Sequence, residues 1–170
     1  MLGVPPPFSD RNFRSPHMLH SAVVRPIRAT DFDAWKPLWD GYNAFYGRQG
    51  ATALADAITH TTWQRFFDPT EPVFALVAES DGVLLGLTHY LFHRSTSRIE
   101  MTCYLQDLFT VPAERGLGVG RALIEGVSRA AHSAGVKRLY WQTHEANAAG
   151  RRLYDKVAQH LGFIVYSQDL

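Results

Sequence analysis

Val111-Pro112-Ala113-Glu114-Arg115-Gly116-Leu117-Gly118-Val119-Gly120-Arg121 is the stretch on which the reading of this chain turns. A strand-like apolar run over 105–111 enters it. A helical pattern leaves it, with Val119, Leu123, Val127, Ala130, Ala131 and Ala134 along one face and Gly135 as a stop. Three alternating glycines at a strand-to-helix junction let the backbone turn tightly and leave its N–H groups bare. Those donors, together with the positive end of the helix dipole, make a seat for phosphate. No Lys-Ser/Thr follows the glycines, so the mononucleotide loop does not fit. The dinucleotide fingerprint needs two residues between its second and third glycines, and only Val119 stands there.

Upstream, a first strand is expected over 23–27. Thr30 then caps a helix in which Phe32, Trp35, Trp39, Tyr42 and Tyr46 recur at helical spacing. The segment 47–50 breaks it, and a second helix over 54–67 ends at Asp68-Pro69. Strands over 73–78 and 83–92 flank Asp81-Gly82, a hairpin signal, and a long strand follows over 101–111. Beyond the glycine turn and its helix come a strand over 139–143, a helix over about 147–161 and a last strand from Phe163. Antiparallel strands first, then strand–helix–strand–helix–strand, predict an α/β (α+β) fold with a mixed sheet and helices on its faces.

Residues 1–21, with Pro5-Pro6-Pro7 and no hydrophobic period, are expected to form a disordered extension, and 22–170 a single domain. A chain of 170 residues with 46% hydrophobic content can bury one full core. A net charge of +1 offers no global attraction to nucleic acid or to an acidic membrane, so neither is expected as a partner. No apolar run reaches the roughly 18 residues of a membrane span. The single cysteine, Cys103, has no internal disulfide partner, which agrees with a cytoplasmic location.

Arg115-x-x-Gly118-x-Gly120 is similar to the pyrophosphate-binding signature of the GNAT superfamily of acyl-CoA N-acyltransferases. The resemblance runs from about Val23 to the C-terminus and takes in Asn147, Leu153-Tyr154-Asp155-Lys156 and Gly162-Phe163. The run Tyr104-Leu105-Gln106-Asp107-Leu108-Phe109 resembles the fourth strand of the spermidine/spermine (diamine) acetyltransferase branch. The resemblance implies a six- to seven-stranded mixed sheet with about four helices, its fourth and fifth strands splayed around a pantetheine arm. It also implies acetyl-CoA as co-substrate, no metal, direct transfer to a primary amine of a small molecule (a diamine, polyamine or amino acid), and a homodimer. Family members usually run Tyr-x-x-x-Gly-Phe. Here 157–161 lengthen that gap, which should alter the helix end rather than the tyrosine.

The site follows from what the chemistry requires. Acetyl transfer from a thioester needs donors at the developing oxyanion, and N–H groups of Leu108, Phe109 or Val111 on a splayed strand are the candidates. Arg115, Gly116, Leu117, Gly118, Val119, Gly120 and Arg121 would carry the diphosphate end, with Asn147 beside the cofactor. Taken alone, Tyr154, two helical turns after Asn147, is more simply a packed aromatic; the resemblance implies that it is the general acid for the leaving thiolate. Asp107 is the candidate base or amine seat. It shares strand parity with the apolar Met101, Cys103, Leu105 and Phe109, where a carboxylate is costly unless paired. Bonding to local backbone is an equal alternative for it. Gln106 stands where the polyamine branch has a glutamate, and it cannot act as a base. Tyr42 and Tyr46 are placed to meet an amine by cation–π attraction. His89, His93, Glu100, His144 and Glu145 are further titratable residues, each more simply structural, and His89 and His93 lack a third metal ligand. Two rival functions remain open here: acetylation of a protein or peptide amine, and a CoA-binding module without catalysis.

Overall fold

Side-chain alternation and turn chemistry build the sheet from its N-terminal side. The computed structural model describes residues 22–170, so the expected 1–21 extension lies outside the described residues. The elements are β1 (Val23–Pro26), α1 (Phe32–Phe45), α2 (Asp56–Arg65), β2 (Val73–Ser80), β3 (Val83–His93), β4 (Thr102–Thr110), α3 (Val119–Ser133), β5 (Leu139–Trp141) and α4 (Ala148–Tyr154). Sheet order follows chain order, β1-β2-β3-β4-β5. The first three pairings are antiparallel and β4–β5 is parallel. Asp81 and Gly82 both take positive φ (49° and 79°), as a two-residue hairpin turn between right-twisted strands requires.

Each face of the sheet carries its own core. On one, α3 lays Val119, Leu123, Ile124, Val127 and Ala131 against Leu76, Tyr90, Cys103 and Leu105, with Leu153 and Val157 at the margin. On the other, α1 lays Trp35, Leu38, Trp39 and Tyr42 against Ala75, Val77, Leu87 and Phe109, with Trp63 and Phe66 closing over them. The helical stripe of α1 is thus a packing stripe, as its spacing predicts.

A β-bulge in β4 decides which face bears the polar residues. His89 pairs with Asp107 while Tyr90 pairs with Leu105, so Gln106 is the extra, exposed residue. The side chains before and after it therefore do not follow one alternation. Cys103 and Leu105 enter the α3 core, whereas Phe109 enters the α1 core. The expected apolar set shared by Asp107 with Met101, Cys103, Leu105 and Phe109 is broken by that bulge.

Among the described residues the sheet has five strands rather than six or seven. β5 pairs only Leu139, Tyr140 and Trp141 with Cys103, Tyr104 and Leu105, and the β4 edge beyond Leu105 has no strand beside it. α4 stops at Tyr154 instead of running to 161, and no strand forms from Phe163 onward. After Val157 the apolar residues find no core: Leu161 is 60% and Phe163 80% exposed. Without burial, a short helix gains too little to offset its ordering cost.

Candidate active site

The glycine turn makes the first half of the site from backbone alone. Gly116 and Gly118 hold φ of +81° and +92°, a left-handed region costly to any residue with a Cβ. Gly118 caps α3, and the first helical bond is Ala122 N–H to the Gly118 carbonyl at 2.9 Å. The N–H groups of Val119, Gly120 and Arg121 thus stand at the positive end of the helix. Gly120 serves another purpose: a Cβ there would lie 3.2 Å from Leu153 Cδ2, so its absence lets α4 approach α3.

A cleft of about 470 Å³ opens beside this turn. Leu108, Phe109 and Thr110 on the open edge of β4 form one wall, and Trp141, Asn147, Leu153 and Tyr154 the other. Arg115, Gly116, Gly118, Gly120 and Arg121 lie at one end, joined by Arg152 and Lys156, whose contribution the sequence reading missed. Four cations around bare helix N–H groups suit a diphosphate. Leu117 is 56% exposed and Val119 is buried in the α3 core, so neither side chain lines the cleft.

The candidate oxyanion donors separate by strand geometry. Val111 N–H is spent on the Leu85 carbonyl at 3.0 Å, which removes it from the expected set. Alternation along the antiparallel ladder turns Phe109 N–H toward β3 as well. Leu108 and Thr110 N–H point to the open edge. Of the three expected donors, only the Leu108 N–H is turned away from β3 to the open edge.

Asn147 holds α4 in place. Its Oδ1 accepts from Gly150 N–H at 3.0 Å and its Nδ2 donates to Thr143 Oγ1 at 3.0 Å. Tyr154, the last residue of α4, is half-buried with its ring edge-on to Trp141 at 5.5 Å. Desolvation pushes its hydroxyl up to about 12, so it keeps its proton at neutral pH. Cys103 is wholly buried, and desolvation pushes its thiol up to about 12 too, so it offers no thiolate nucleophile.

A second cavity, of about 380 Å³, lies under α1 and α2 and meets the first at Tyr42 and Gln106. Asp107 opens on it from the β4 side. The carboxylate is paired after all: Asp107 Oδ2 lies 2.9 Å from His89 Nδ1. His89 Nε2 in turn lies 3.0 Å from Trp35 Nε1. An indole nitrogen only donates, so His89 Nε2 must accept and Nδ1 must carry the hydrogen. The imidazole is thereby held as the neutral tautomer that donates to Asp107, inside a box of Trp35, Trp39 and Phe66 rings 4.7–5.9 Å away. Tyr42 lines the cavity beside Asp107, and burial together with that carboxylate's charge pushes the phenol well above its usual range. His89 was only one of several titratable candidates in sequence. Nothing local in the chain marks Trp35 as its partner, 54 residues away.

The expected cation–π role of Tyr42 and Tyr46 is filled internally. The Arg48 guanidinium lies 5.7 Å and 5.6 Å from their ring centres. His93 bonds the Tyr140 hydroxyl at 3.1 Å, away from His89. Glu100 pairs with Lys137 at the surface. Among the described residues no group of three or more His, Cys, Asp or Glu could hold a metal, and no helix is long and apolar enough to cross a membrane.

Residues 35–159 match the model of the acetyltransferase (GNAT) family. The D-amino-acid N-acetyltransferase HPA3 of Saccharomyces cerevisiae is 34% identical over 149 residues, 86% of this chain and 90% of that one. Two solved structures share the fold. A ribosomal-protein-alanine N-acetyltransferase from Brucella melitensis has a TM-score of 0.72 at 20% identity, over 89% of this chain and 100% of its own. AAC(6')-Iy, bound to the bisubstrate analogue CoA-S-monomethyl-acetylneamine, has a TM-score of 0.73 at 16% identity, over 88% and 98%. The diamine branch suggested by residues 104–109 gains no support from these likenesses, since the yeast relative bears the name of an amino-acid acetyltransferase. Family match, yeast relative and a cleft built on the glycine turn agree: the chain belongs to the GNAT acetyltransferase family and is an N-acetyltransferase.

Proposed function

We propose that this enzyme transfers acetyl from acetyl-CoA directly to the primary amine of a small amino-acid-like molecule. One observation carries the reading: Asp107, held by His89, opens on a cavity that meets the cofactor cleft at Tyr42 and Gln106. Acetyl-CoA would supply the activated acyl group, its diphosphate at the α3 N-terminus beside Arg115 and Arg121. The Asp107 carboxylate binds the incoming ammonium and accepts its proton, directly or through a water, leaving a neutral amine. Leu108 N–H faces the carbonyl oxygen as the nitrogen bonds to the acetyl carbon. Tyr154 gives its hydroxyl proton to sulfur as the carbon–sulfur bond breaks, and regains a proton from solvent. Gln106, uncharged and exposed on the bulge, stands at the junction where the two halves of the reaction meet.

A cavity of about 380 Å³ under two helices, with an apolar wall of Leu54, Ile58 and Phe66, has the size for a single small molecule. The yeast relative's name supports an amino acid in particular. Thiol release from acetyl-CoA, followed across D- and L-amino acids, polyamines, aminoglycosides and peptides, is the test. Release with amino acids above all others is the expected result. Release with peptides or polyamines alone would replace the acceptor, and release with none would leave a CoA-binding module.

A further inference from the structure

The acceptor cavity contains a cation that the chemistry above does not use. Arg48 follows α1, and its place is determined from several sides. Its backbone N–H bonds the Asn43 carbonyl at 2.9 Å, and its Nε donates to Asn43 Oδ1 at 2.8 Å. Asn43, itself buried, is held by its Nδ2 on the Trp39 carbonyl at 2.9 Å. The guanidinium rests near both Tyr42 and Tyr46. Among the described residues neither terminal nitrogen, Nη1 or Nη2, has a protein acceptor. A partly buried guanidinium with one edge anchored and the other free is organised for a bidentate acid. Arg65 also lines the cavity, but its Nε already faces Glu71 at 3.4 Å.

The cavity lining thus holds an anion, Asp107, an uncommitted fork, Arg48, and the apolar side chains of Leu54, Ile58 and Phe66. That polarity matches a zwitterion. A polyamine has two or more cations, and Arg48 would repel the second.

We propose that Arg48 binds the acceptor's free carboxylate, so that the substrate is an α-amino acid with an apolar side chain whose ammonium sits on Asp107. This rests on the transferase reading above. It adds a second charge that the acceptor must carry, and it assigns that charge's partner.

The experiment compares leucine, leucinamide and 3-methylbutylamine, with both enantiomers of the first two, in wild type, Arg48→Gln and Arg48→Lys. Loss of a charged hydrogen-bond partner predicts that wild type favours the acid over the amide by roughly ten- to a hundredfold in kcat/KM, mostly through KM. In Arg48→Gln that ratio collapses toward one, and Arg48→Lys, which keeps charge but not the fork, falls between. Binding of N-acetyl-leucine in the presence of coenzyme A, measured by calorimetry, should weaken by about tenfold or more in Arg48→Gln. Arg48 does not line the cofactor cleft, so coenzyme A affinity in the same samples reports folding. If Arg48→Gln fails that check, the wild-type acid-to-amide ratio decides alone. Equal use of acid and amide by wild type overturns the carboxylate seat and leaves the transferase intact. A preference that survives in Arg48→Gln overturns it as well. No thiol release from any amine overturns both.

Discussion

The two cavities that meet at Tyr42 and Gln106 are built in opposite ways. The cofactor cleft is made from backbone: two left-handed glycines, bare N–H groups at the start of α3, and one exposed strand edge. The acceptor cavity is made from side chains drawn from α1, the segment after it, α2, β3 and β4, which bring Arg48, His89 and Asp107 together from distant parts of the chain. A backbone site is written into a few consecutive residues and survives changes around it. A side-chain site depends on every element that positions it, so its failures spread further.

The largest expected effect tests the cofactor side. Tyr154→Phe should lower kcat by about a hundred- to ten-thousandfold while coenzyme A affinity changes little. Unaltered turnover in steady-state assays would remove Tyr154 as the acid. Next comes Asp107→Asn, expected to cost on the order of a hundredfold in kcat/KM at neutral pH. Raising the pH should recover part of the loss, because solvent then supplies the neutral amine that Asp107 no longer generates. A loss that does not change with pH would make Asp107 only a binding group.

Two smaller effects sharpen the contrast itself. Trp35→Phe leaves His89 Nε2 buried without its donor and should destabilise the fold by about 1–3 kcal/mol, read from the denaturation midpoint. Gly118→Ala forces a Cβ into left-handed backbone, worth about 1–2 kcal/mol. That change should weaken coenzyme A binding while the acceptor KM stays put, whereas damage to the acceptor KM would mean the halves are not separable. The smallest effect is a pH response. The Tyr154 pKa is raised in the folded state, so the stability it contributes is complete below the unfolded value of about 10. It is lost as pH climbs toward about 12. Urea midpoints measured between pH 8 and 11 should therefore begin to fall at about pH 9, as the Cys103 thiol, raised in the same way, loses its share, and fall more steeply above about pH 10 as Tyr154 adds to it.

The legible and illegible parts of this chain divide along the same line. The hairpin at Asp81-Gly82, the α3 stripe and the glycine turn each depend on neighbours within a few residues, and each lies where its spacing places it. The bulge at Gln106 was not legible, because nothing local shows that one strand residue will be skipped by its partner. Extending parity through it put Asp107 among the wrong neighbours. The long final helix and last strand follow from apolar spacing alone, and they do not form where no packing surface meets Leu161 and Phe163. Arg48 carried no motif, and Tyr42 and Tyr46 seemed open to an outside cation that this arginine replaces.

By itself, then, the chain's order of residues determined a mixed sheet, a glycine corner with bare N–H groups and the tyrosine on the helix beside it, because backbone preferences and short periods are local. Only the tertiary structure decided that Trp35, His89 and Asp107 form one hydrogen-bonded line, and that Arg48 faces the same cavity. Those contacts join residues up to 54 positions apart, and their worth comes from burial that no isolated segment possesses.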